Sequence, residues 1–282
     1  MKRRVFLTQA TQVLASAALG AAARAVWLPF PGRLAIFAQR LRDAAPFVHY
    51  DADALFPAAS IIKLVILVGI VREIDERRLR WSDTFVVRRP EIVAGSESFG
   101  SAPSGSRASV RRLVDAMIAQ SDNTAGNVLA DHLSFSRING VAESLGLSRT
   151  VMRRHFMDFA ARARGVDNTT CAADIGALLL GIARGARGGA SAVAGPQGCR
   201  AMMNVMLAQE DRETIPAGIG RHVPIANKTG VLDDVRNDAA VVDPYGDNPY
   251  VLVLLSQFNP AMTQRAYALL REDAARIDLR SR

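Results

Sequence analysis

The chain has 282 residues, 49% of them apolar and 22% charged, and a formal net charge of +8. That is material for one globular domain or two closely joined lobes; with no repeat, low-complexity tract or long apolar run beyond residue 25, disorder and a polytopic membrane protein are excluded. Aromatic residues are only 6% of the chain and no stacking motif accompanies the basic residues, which argues against a nucleic-acid partner.

In chain order, Lys2, Arg3 and Arg4 lead into Phe6 and Leu7, and a mild apolar stretch follows over residues 13–23. Ala23-Arg24-Ala25 supplies the small-x-small pattern at which a signal peptidase cuts. Residues 1–25 therefore read as an export signal of twin-arginine type, with an ordinary Sec signal carrying two arginines as the plainer reading. The mature chain is expected to begin at Val26, in the periplasm or secreted, with no membrane span after cleavage. Its net charge is then +4, because the removed segment holds four basic and no acidic residues.

Residues 34–37 and 47–50 read as short strands. Pro57 opens a helix whose body, residues 60–74, is apolar on nearly every side, the pattern of a helix buried in the middle of a domain. Residues 109–120 repeat apolar positions at helical spacing behind a serine N-cap, and another helix covers 124–133. Residues 150–168 have no clean period and hold four arginines, which predicts a long loop. Helices are expected over 170–184, ended by Gly185, and over 196–209. Strand patterns at 223–231, 238–242 and 250–255 precede a last helix over 260–277. Strands at both ends around a helical middle imply an α+β fold. The expected division of residues 26–282 is a sheet lobe of about 26–56 and 210–282 and a helical lobe of about 57–209, with a substrate cleft between them.

Cys171 and Cys199 are open to two readings, a disulfide or two isolated buried thiols. His49, His132, His155 and His222 show no ligand spacing, so neither a metal nor any other cofactor is expected. Of 35 basic residues only three are lysines, Lys2, Lys63 and Lys228. Arginine stays protonated in a protein, whereas a buried lysine can lose its proton, so both mature lysines mark positions that need an amine.

Three short motifs carry chemistry. Ser60-Ile-Ile-Lys63 puts a hydroxyl and an amine on one helix face, where a lysine with a lowered pKa could activate the serine. The bland alternative is a capping serine with an incidental lysine, although an ammonium is badly placed in the first turn of so apolar a helix. Ser121-Asp122-Asn123 offers a hydroxyl that can pass a proton and an amide that can hold a carbonyl; alone, it reads equally as a capping turn. Lys228-Thr229-Gly230 suits an anionic carboxylate beside a glycine that lets a substrate approach, or else a β-turn with a surface lysine.

Together, in this order and spacing, the three resemble the motif set of the penicillin-recognising serine enzymes. The chain resembles the class A β-lactamases from Phe56-Pro-Ala-Ala-Ser60 through Ser121-Asp-Asn-Thr-Ala-Gly-Asn127 to Lys228-Thr-Gly230 and the last helix. The resemblance implies a two-lobe β-lactamase/DD-peptidase-like fold and a serine hydrolase that opens a β-lactam amide. Ser60 would be acylated, Lys63 would take its proton, and Ser121, helped by Lys228, would hand a proton to the leaving nitrogen. The oxyanion hole would be the N–H groups of Ser60 and Val231, with Asn123, Thr229, Gly230 and Arg236 binding substrate. Competing activities with the same residues are a D-Ala-type peptidase, amidase or esterase acting on cell-wall peptides or small esters, and a penicillin-binding sensor that stays acylated. A monomer or a homodimer is expected.

The chain departs from the family twice. The family's deacylating glutamate belongs to a Glu-x-x-Leu-Asn pattern; here Phe156 aligns with the glutamate and Ala160 with the asparagine. Asp158 is the available substitute base, its plainer reading being a loop aspartate bonded to nearby arginines. The family's helix before the first strand is also missing, so the last helix is expected to lie on the sheet without a partner, exposing apolar surface.

Overall fold

The computed structural model describes residues 29–220 and 222–281; the export signal read in residues 1–25 and the start at Val26 lie outside the described residues. Strand β1 (Gly32–Arg40) turns back into β2 (Val48–Tyr50). A two-residue strand β3 (Phe56–Pro57) enters a tight 3-10 turn, Ala59–Ile62, which continues into helix α1 (Lys63–Asp75). The helix expected to open at Pro57 is therefore divided. Ala59, at φ +46°, holds the bend, and Ser60 stands on the tight turn rather than in the helix. From Lys63 to Val71 every residue of α1 is buried, as its all-round apolarity requires.

A hairpin of β4 (Thr84–Val86) and β5 (Arg107–Ser109) leads to α2 (Val110–Ala119), whose N-cap Ser109 accepts the Arg112 N–H. Then come α3 (Asn123–Leu133) and α4 (Phe135–Ser144). The arginine-rich stretch is loop as expected, except for α5 (Phe159–Ala163) and for Val151, which bridges Thr169 of β6 (Thr169–Thr170). Helices α6 (Ala172–Ala186), α7 (Pro196–Leu207) and the short α8 (Ile215–Ile219) follow. Gly185 does not end α6. It lies within the helix, where a Cβ would come to 2.4 Å from Cys199 Sγ, so its role is to let α6 and α7 pack closely. The chain closes with β7 (Ile225–Leu232), β8 (Val235–Val242), β9 (Tyr250–Phe258) and α9 (Thr263–Ser281).

Four long strands and the three-residue β2 form one antiparallel sheet in the order β2-β1-β9-β8-β7. The first strand thus pairs with the last, Gly32 opposite Phe258 through Arg40 opposite Tyr250, and β7 is left at an edge. Strand alternation divides the side chains between two cores. Ala35, Phe37, Ala239, Val241, Val253 and Leu255 face α1 and the helices around it. Ile36, Ala38, Ala240, Val242, Leu252 and Leu254 face Leu270, Ala274 and Ile277 of α9. On that outer face α9 is not alone, because Ile215 and Ile219 of α8, a helix the periodicity does not reveal, pack into the same cluster. No helix among the described residues is long and apolar enough to cross a membrane.

Both cysteines are free and buried, which decides between the two readings of them. Cys171 N-caps α6 by accepting the Asp174 N–H at 3.4 Å, and burial pushes its thiol up to about 12. A buried, protonated thiol is a poor nucleophile. Native protein should therefore react with neither equivalent of a disulfide-exchange thiol reagent within minutes, and with both after unfolding. Fast native labelling, or an unfolding midpoint lowered by reductant, would contradict the two-thiol assignment.

Candidate active site

Three elements bring the three motifs together around a cavity of about 340 Å³ that Ser60, Ser121, Asn123, Thr229 and Val231 help to line. Ser60 rides on the 3-10 turn, which the Ile61 N–H closes by donating to Ala58 O at 3.0 Å. Edge strand β7 passes directly against this turn. A Cβ on Gly230 would lie 3.1 Å from both Ser60 N and Ala58 O, so only glycine lets the strand approach this closely. From the neighbouring strand, Asn237 Nδ2 donates to Pro57 O at 2.9 Å and so ties the turn to the sheet.

Ser121 lies between the two lysines. Lys63 Nζ donates to Ser121 O at 2.7 Å, Asn123 Oδ1 at 2.8 Å and Ser121 Oγ at 3.3 Å. Lys228 Nζ donates to the same Ser121 Oγ at 2.9 Å and to Thr229 O at 2.8 Å. Reaching this place puts Ser121 at φ +59°, a region few residues other than glycine adopt. The strain is held by Asp122, which has no exposure. Its carboxylate accepts the N–H groups of Ala125 at 2.8 Å, Ser98 at 2.9 Å and Phe99 at 3.0 Å.

Both amines are completely buried. Burial first, then the charge of Lys228, pushes Lys63 well below the ordinary lysine value, against an opposing pull from Asp122. Its place in the first turn of α1 acts the same way, since that end of a helix disfavours a cation. Burial likewise brings Lys228 down to about 7, although Asp211 and Asp238 favour its charged form. Lys63 is thus suited to accept a proton at neutral pH, and Ser121 connects it to a second amine poised near neutrality.

The remaining expected residues take different places. Phe156 is buried with its ring centroid 4.5 Å from Lys63 Nζ, and its backbone N–H donates to Asn127 Oδ1 at 2.9 Å. The absence of a side chain at Gly126 makes room for the ring, since a Cβ there would lie 2.8 Å from Phe156 Cε2. Asp158 is exposed and spends its carboxylate as the N-cap of α5, accepting the Ala161 N–H at 2.9 Å. The aspartate that binds the loop arginines is Asp167, which pairs with Arg154 at 2.8 Å and Arg162 at 3.1 Å. Ala160 is exposed within α5. Arg236, expected at a substrate carboxylate, gives its two terminal nitrogens to Asp211 at 2.7 Å each. Sequence reasoning passed over Asp211, Glu97 and Glu210, which line the cavity, and Asn237; none of them belongs to a motif, and only the folded chain brings them here.

Residues 18–277 match the model of a family described as the beta-lactamase enzyme family. The β-lactamase of Kitasatospora aureofaciens is 28% identical over 262 residues, covering 84% of this chain and 77% of its own. β-Lactamase 1 of Streptomyces cacaoi is 27% identical over 249 residues, covering 83% and 74%. Among solved structures, PBP-A superposes with a TM-score of 0.81 at 25% identity, over 92% of this chain and 94% of that one. A leucine-to-glutamate mutant of PBP-A, an acyl-enzyme complex with penicillin G, gives 0.82 at 25% identity over 93% and 95%. The β-lactamase of Sphaerobacter thermophilus shares the fold, with a TM-score of 0.77 at 24% identity over 94% and 95%.

The buried amines make stability depend on pH. A lysine that titrates at about 7 when folded and at 10.5 in its ordinary state leaves the unfolded chain holding more protons between those values. The cost of burying the charge is fully present below about 7 and vanishes above 10.5, so stability rises with pH across this window. Lys228→Met should flatten that rise by up to about 1.4 kcal/mol per pH unit, the worth of one proton. Denaturant midpoints at pH 7 and pH 9 provide the check, and equal slopes in variant and wild type would refute the lowered value.

Proposed function

The chain belongs to the beta-lactamase enzyme family, hydrolases of β-lactams, and from that premise we propose that it opens the lactam amide through an acyl-enzyme on Ser60. The observation that carries the reading is the hydroxyl of Ser121, bonded to Lys63 on one side and Lys228 on the other in the pocket that Ser60 lines. Ser60 Oγ attacks the lactam carbonyl and its proton passes to neutral Lys63. The oxygen that becomes negative is held by the N–H groups of Ser60 and Val231. As the C–N bond breaks, Lys63 returns the proton through Ser121 Oγ to the leaving nitrogen, and the charge on Lys228 favours that transfer. Asn123 holds Lys63 through Oδ1 and lines the pocket where the substrate amide lies. The likeness to PBP-A, whose mutant is an acyl-enzyme with penicillin G, supports the covalent step.

Release of the acyl group needs a base for water. Phe156 covers the side of Lys63 on which the family resemblance puts a glutamate, and Asp158 is turned to its helix cap. We therefore assign fast acylation and slow hydrolysis. The residues 1–25 pattern further assigns export of the mature chain in a folded state, by the twin-arginine route.

Intact mass after mixing with penicillin should show one adduct per chain, absent in Ser60→Ala. Phe156→Glu should speed its loss by about 10²–10⁴, the usual worth of a general base. Equal turnover in Ser60→Ala, or release from wild type too fast for any adduct to accumulate, would overturn the reading. For the export route, Arg3→Lys combined with Arg4→Lys should leave the precursor in the cytoplasm; normal secretion of that variant would point to Sec.

A further inference from the structure

The two groups expected to read a substrate carboxylate, Thr229 and Arg236, are already engaged by a carboxylate of the protein itself. Arg236 is 2% exposed and engages all three nitrogens of its guanidinium. Nη1 and Nη2 meet the two oxygens of Asp211 at 2.7 Å each, Nε meets Thr214 Oγ1 at 2.6 Å, and one face lies 4.7 Å from the Tyr267 ring centroid. The hydroxyl of Thr229 stabilises the same Asp211 carboxylate, and the Glu213 N–H adds a bond at 3.2 Å. Burial works against an ionised Asp211, yet these partners outweigh it and hold the group below the usual carboxylate range.

Asp211 lines the cavity beside Ser60. Glu97 and Glu210 line it too, and neither pairs with a cation among the described residues. The Nη1/Nη2 fork of Arg236 is filled by Asp211 and its Nε is held by Thr214, which leaves no two-pronged edge for a second carboxylate. A free-acid substrate must displace Asp211 from that fork or lie against it as a like charge, and like charges brought together select against a ligand.

We propose that Asp211 is the specificity-determining residue of this pocket. Its carboxylate stands in for that of the substrate at Arg236 and Thr229, so the enzyme prefers acyl donors whose carboxylate is masked as an ester or amide. The proposal rests on the Ser60 acyl-enzyme reading and narrows its substrate class.

The test is the ratio of acylation rate constants for benzylpenicillin and its methyl ester, read from intact mass. In wild type the ratio should lie below one. Asp211→Asn should raise it by about tenfold or more, the worth of one charge-assisted contact regained at Arg236. Asp211→Ser serves as a second variant should the first fold poorly, with melting temperature as the check on folding. Asp211→Asn combined with Arg236→Gln should lose the gain. A wild-type preference for the free acid, a ratio indifferent to Asp211, or a gain that survives without Arg236 would each overturn the proposal. A neutral fluorophosphonate separates the two readings. If it labels Ser60 while the ratio ignores Asp211, only the specificity assignment fails. If it labels no Ser60, the acyl-enzyme reading fails and takes this one with it.

Discussion

Two lysine side chains without solvent contact flank a single hydroxyl, and the cost of holding charge there governs the rest of the structure. Removing an ammonium from water costs several kcal/mol even after the surroundings relax. The three acceptors around Lys63 and the two around Lys228 offset part of that cost. What remains lowers both affinities for a proton, which is what a serine needs from a neighbouring base. Arginine, used almost everywhere else in this chain, cannot be tuned in this way.

Such a site holds only if its surroundings do not relax. Asp122 binds three backbone N–H groups and so fixes the strained Ser121. Asn237 fastens the turn that carries Ser60, and its Oδ1 accepts the Ser256 N–H of the next strand at 2.9 Å. Gly230 and Gly126 act by absence, one admitting the strand to the turn that bears Ser60 and the other admitting Phe156 to Lys63. The all-buried α1 supplies the rigid base, because a close-packed helix cannot shift without opening voids on several sides.

Around this machinery, two residues outside the three motifs shape its behaviour. The ring of Phe156 closes one side of Lys63 with an aromatic face that cannot activate water. Asp211 fills the fork of Arg236 on the other side of the pocket. In the readings proposed above, one bears on how long an acyl group stays and the other on which acyl donors arrive. Both act through occupancy: each puts a protein group where the family resemblance leads one to expect a carboxylate of different origin.

Much of this was legible in the residues themselves. The apolar run after Ser60 could only be a buried helix, the strand patterns near the C-terminus marked the sheet, and the sparse lysines pointed to the two buried amines. These are local signals, carried by neighbours a few positions apart. The hairpin of β4 and β5 escaped because each strand has three residues and its partner lies more than twenty positions away. Phe156 could be aligned, but its place over Lys63 required the loop to fold. Above all, the fate of Arg236 depends on register. Thr229 pairs with Asp238 and Val231 with Arg236, which turns Arg236 to the face beneath α9 while Lys228 and Asn237 face the turn that bears Ser60. A shift of one residue would exchange those faces. The side-chain order along β8 is written in the sequence; which face meets Asp211 is decided only when the strands pair, because alternation fixes relative orientation and packing alone fixes its direction.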